Sequence, residues 1–67
     1  MTARKRTRLA ESLRHAYAEW QWRSAAVWAS YERWRAAGGA LEFAAYHVAL
    51  DLEETACRRY GELARQV

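Results

Sequence analysis

The chain has 67 residues, among them 15 Ala, 11 Lys or Arg, 8 Asp or Glu, 4 Trp and 4 Tyr, with 3 Gly, one Cys and no Pro, which suffices for one small domain. A chain this short leaves roughly 40% of its unfolded surface exposed after folding, so it must pack efficiently, be stapled, or associate. The single cysteine, Cys57, excludes an intrachain disulfide and fits a reducing cytoplasm. Half the residues are apolar and nine are aromatic, too many for a disordered segment.

The N-terminal stretch, with Arg4, Lys5, Arg6 and Arg8, is basic enough to begin a secretion signal, but Glu11, Arg14 and His15 interrupt the apolar run that would have to follow. No uncharged run approaches the ~20 apolar residues a membrane span needs. The expectation is a cytoplasmic protein without a membrane segment.

The strongest punctuation is Gly38-Gly39, since paired glycines supply the backbone conformation that ends a helix and no proline interrupts either flank. Residues 1–6 read as a basic arm, followed by a helical hairpin of two long helices over about 7–37 and 40–66, with the turn at 38–39. Thr7 is the expected N-cap of the first helix, with Glu11 near its start and Arg33 and Arg35 near its end, the charge order a helix dipole favours.

Both helices are amphipathic. In the first, Leu9, Leu13, Ala16, Tyr17, Trp20, Ser24, Val27, Tyr31 and Trp34 form one stripe about 100° wide, as in a helix with one buried face. The second helix carries two stripes. Leu41, Ala45, Val48, Ala49, Leu52, Ala56, Leu63 and Val67 make the first, expected to face helix 1. Phe43, Tyr46, Leu50, Cys57 and Ala64 make another beside it, widening the apolar arc to roughly 220°. One neighbour cannot cover that arc, and burial of such side chains is worth about 1.5–3 kcal/mol each. The fold class expected is therefore all-α: an antiparallel two-helix hairpin that dimerises into a four-helix bundle, with Phe43, Tyr46, Leu50 and Cys57 as the self-association residues.

Two further features point outward. Trp22 lies opposite the main stripe of helix 1 amid Ala18, Ala25 and Ala29, and a large flat ring among small residues resembles the anchor of a protein-binding surface. Charge is uneven: residues 1–35 carry eight Lys/Arg against three Glu, residues 36–67 three Arg against five Asp/Glu. Arg4, Lys5, Arg6 and Arg8 offer a flexible phosphate-binding arm, the basis of an alternative reading as a small nucleic-acid-associated regulatory factor. A zinc-finger, RNA-binding or basic-zipper pattern does not accompany them.

Catalytic patterns are poor. His47 with Asp51, and His15 with Glu11 or Glu19, stand four apart as surface pairs do. Two such groups fall short of a metal site. Cys57 has no histidine near it in sequence, and Gly38-Gly39 lacks the spaced glycines and lysine of a phosphate loop. No enzymatic activity, cofactor or metal is expected. Gly61 departs from the helical pattern, marking either a close approach of another helix or the fraying of helix 2. The sequence thus predicts a non-enzymatic interaction module that self-associates and takes a protein partner through exposed apolar helix faces.

Overall fold

A computed structural model describes residues 2–67; the first residue of the expected basic arm lies outside them. Two α-helices, α1 (Ala3–Ala37) and α2 (Ala40–Ala64), pack antiparallel along their lengths. The Cα trace measures 53 × 13 × 12 Å, the dimensions of two rods side by side. Over its 35 residues α1 holds many Ala and Arg and only two β-branched residues, Thr7 and Val27, so intrinsic preference and amphipathic patterning agree.

The start of α1 differs from the sequence expectation. Thr2 is the N-cap, its Oγ1 accepting from the Lys5 backbone N–H at 3.3 Å. Thr7 lies inside the helix, where its hydroxyl donates to the Ala3 carbonyl at 3.0 Å. Arg4, Lys5, Arg6 and Arg8 therefore sit on a helix and not on a flexible arm. Two residues with a threonine-like hydroxyl compete for the cap, and the upstream one wins because nothing between them breaks the helix.

At the other end Gly38 and Gly39 adopt φ of +68° and +89°, a region open mainly to glycine. The Gly38 N–H donates to the Trp34 carbonyl at 2.7 Å, and α2 begins when Phe43 N–H reaches the Gly39 carbonyl at 3.1 Å. α2 ends at Ala64, two residues short of the expected boundary, with Arg65 and Gln66 closing a turn.

Contacts between the helices recur at alternating steps of three and four residues. On α1 the seam is Leu13, Ala16, Trp20, Arg23, Val27, Ser30 and Trp34; on α2 it is Tyr46, Ala49, Glu53, Ala56, Tyr60 and Leu63, all buried or half-buried. That spacing is the knobs-into-holes repeat of paired helices. Aromatic rings set the register. Trp20 stacks on Tyr60 at 5.4 Å between centroids and meets Tyr17 edge-on, while nearer the turn Trp34 stacks on Tyr46 at 5.7 Å. Small residues lie between: Ala16, Ser30 and Ala56 are the only buried residues described. Large rings on one helix thus close over small residues on the other, which lets the backbones approach. The Ser30 hydroxyl is satisfied by the Val27 carbonyl at 2.9 Å.

This seam corrects the assignment of the faces of helix 2. Tyr46, from the stripe expected to be left over, packs against Tyr31 and Trp34 of its own chain, and Leu50 and Cys57 are half-buried beside it. Leu41, Val48 and Leu52, expected to face helix 1, are 80%, 58% and 42% exposed. The rotation follows from the rings: Tyr46 and Tyr60 present flat surfaces to Trp34 and Trp20, whereas Leu41 and Val48 have no aromatic partner opposite.

Candidate interaction surfaces

Two flanks border the seam. On one, Tyr17, Ser24 and Tyr31 of α1 run beside Phe43, Leu50, Cys57 and Ala64 of α2, and no residue in either row is charged. A shallow groove lined by Leu13, Arg14, Tyr17 and Tyr60 opens here. On the other flank a groove of about 300 Å³ is lined by His15, Glu19, Arg23, Leu52, Thr55 and Arg59, with Ala16 and Ala56 at its floor. Apart from Arg14 at the edge of the shallow groove, one side of the hairpin is therefore apolar, and the other is largely ionic. The Glu19 carboxylate accepts from Arg23 Nε at 3.2 Å on the ionic side.

Phe43, 43% exposed, rests on Trp34 at 5.1 Å and meets His47 edge-on at 4.4 Å. Of the four residues expected to serve self-association, Phe43, Leu50 and Cys57 thus share the uncharged flank, while Tyr46 belongs to the hairpin seam. Cys57 is a free, half-buried thiol.

The seam holds a polar pair that the sequence reading did not foresee: Trp20 Nε1 donates to Glu53 Oε1 at 2.9 Å. Glu53 stands where the three-four repeat would accept an apolar residue. Its signal in the sequence is a carboxylate at the same spacing as Tyr46, Ala49, Ala56 and Tyr60, legible only once the seam is known.

Trp22 is 62% exposed on the back of α1, as its helical position implies, with Ala18, Ala25 and Ala29 exposed around it. The Arg23 guanidinium lies over its ring at 4.6 Å. Trp28, which periodicity did not single out, is exposed at 65% and touches Tyr31 at 5.8 Å, placing it at the edge of the uncharged flank. Two indoles therefore border the row of alanines on the outer face.

His47 and Asp51 are both exposed without a hydrogen bond between them, and among the described residues no group of three or more His, Cys, Asp or Glu is placed to hold a metal ion. No helix among the described residues is long and apolar enough to cross a membrane. A Cβ added at Gly61 would meet only Arg65 Nη1, at 3.8 Å, so no close approach of α1 requires that glycine.

Together these features define a small all-helical hairpin with exposed apolar and aromatic faces. Comparison with protein-family models, with curated proteins and with solved structures finds no match to this chain.

Proposed function

We propose that the protein is a self-associating helical interaction module in which two hairpins join through their uncharged flanks as a four-helix bundle. The observation that carries this reading is an excess of surface. The chain exposes 5,275 Å², about 900 Å² more than the roughly 4,400 Å² expected of a compact monomer of 7.8 kDa. Among the described residues no large side chain is fully buried. One side of a standard protein interface buries about 800 Å², close to that excess.

The uncharged flank has the right size and chemistry. Along the 25 residues of α2 it is about 38 Å long and, across two helices, about 20 Å wide, or roughly 750 Å². A helix with apolar residues on its seam and on one flank is the pattern of a four-helix bundle, whereas a two-helix coil needs the seam alone. Charge orients the two copies. Residues 9–37 of α1, the part that runs beside α2, carry four Arg against three Glu, net +1, and α2 two Arg against five Asp/Glu, net −3. Each α1 therefore lies against the partner's α2, with both turns at one end. The outer face around Trp22, Ala18, Ala25 and Ala29 stays outside this bundle and is the surface for a different protein partner.

Sedimentation equilibrium at micromolar concentration tests the reading. Twice the 7.8 kDa chain mass is expected, with Leu50→Glu shifting the protein to the single-chain mass and Leu52→Glu, on the ionic flank, leaving the dimer intact. A single-chain mass for the unmodified protein throughout would end it.

A further inference from the structure

Stacked rings close the seam from Trp34 to Tyr60, but no aromatic residue follows among residues 61–64 of α2. Opposite that stretch α1 still turns Leu9 and Leu13 inward, both half-buried. In place of a ring, a groove of about 640 Å³ opens there, lined by these two leucines, Ala10 and Val67. Arg6, Arg14 and Gln66 complete it, yet its wall is almost wholly apolar. The three polar side chains therefore lend it their methylene stems and carry their heads at the rim. A cavity of this size, apolar within and bordered by a few polar groups that fix orientation, is the pattern of a small-molecule site. The groove on the ionic flank, at about 300 Å³, has charges of both signs.

The rim selects the ligand. Arg6 and Arg14 stand at the two ends of the apolar stretch of α1, eight residues or about 12 Å apart. Neither forms a salt bridge among the described residues, and no acidic side chain lines the groove. An anionic head supplies the missing counter-charge, and a carboxylate matches the planar fork of a guanidinium. The rest of the ligand has to be apolar, because a polar chain laid against leucine and alanine loses hydrogen bonds to water without replacing them. A bilayer takes an apolar face that stands out from a helix, whereas these apolar atoms are recessed between two segments, where a single chain enters and a lipid surface does not.

We infer that this groove is a binding site for a single-chain anionic amphiphile of the fatty-acid class, its tail along Leu9, Ala10, Leu13 and Val67 and its carboxylate against Arg6 and Arg14. The site is formed within one chain and stands independently of self-association.

Calorimetric titration of the full chain with dodecanoate, kept below the concentration at which it forms micelles, tests it. Saturable binding is expected, with amide shifts in nitrogen-15 spectra confined to the groove and absent around Trp22 and the Gly38-Gly39 turn. Decanoate should bind about four- to fifteenfold more weakly, the effect of withdrawing two methylenes from partial or full burial. Arg6→Ala combined with Arg14→Ala should weaken dodecanoate binding at least tenfold, while Arg33→Ala combined with Arg35→Ala, an equal loss of charge near the turn, should leave it unchanged. All four arginines are exposed, so helicity by circular dichroism should be the same in both variants. Absence of heat and shifts with dodecanoate, equal affinity for dodecyltrimethylammonium, equal losses in the two variants, or retention by phosphatidylserine vesicles without binding of free dodecanoate would each overturn the inference.

Discussion

Glycine has two different meanings in this chain. Gly39 holds φ of +89°, where a side chain is strained whatever space surrounds it, so Gly39→Ala is expected to cost about 1–3 kcal/mol. Gly61 is inside α2 and an added methyl group would make ordinary contact with one flexible arginine. Gly61→Ala is expected to raise stability by about 0.8–1 kcal/mol, the helix preference of Ala over Gly. Urea denaturation of both variants checks the opposite signs. Gly38, at the helix end, belongs with Gly39. The paired glycines were legible in the sequence because adjacency marks a turn, but the lone glycine was not, since its neighbours are set by the fold.

Packing between the two helices is governed by the match of large rings to small residues. Ala56 is 5% exposed and lies on α2 between Glu53 and Tyr60, both of which touch Trp20. Ala56→Leu should therefore force the indole aside and destabilise the hairpin by about 1–3 kcal/mol, measurable as a lower thermal midpoint with reordered near-ultraviolet dichroism. Helix 1's inner face could be read from periodicity, since one stripe dominates. The inner face of α2 could not, because apolar residues cover most of its circumference and hydrophobicity alone does not rank them. Ring stacking did, turning Tyr46 and Tyr60 inward and leaving Leu41 and Val48 outside. Ser30, the most buried of the described residues at 3%, escaped the sequence reading for the same reason: size, not polarity, decides which residue fits beneath a ring.

At the scale of the molecule, a rod 53 Å long cannot bury much of itself, and its flanks remain available. The uncharged flank serves the bundle proposed above, and Trp22 lies elsewhere. Trp22→Ala is accordingly expected to leave both helicity and the sedimenting mass unchanged; a fall to the single-chain mass would move Trp22 into the self-association surface. The basic end of α1 adds a separate charged surface.

Two helices, one turn and the exposed position of Trp22 were determined by the sequence, because each depends on local spacing: a 3.6-residue period, a glycine pair, an uninterrupted helix former on either side. Tertiary structure alone decided which face of α2 turns inward, that the cationic start is part of the first helix, and that an uncharged row of each helix lies along one flank. Those properties arise when two helices choose a common register, and the choice is made by the shapes of rings and alanines meeting across the seam, which no single helix carries in its own pattern.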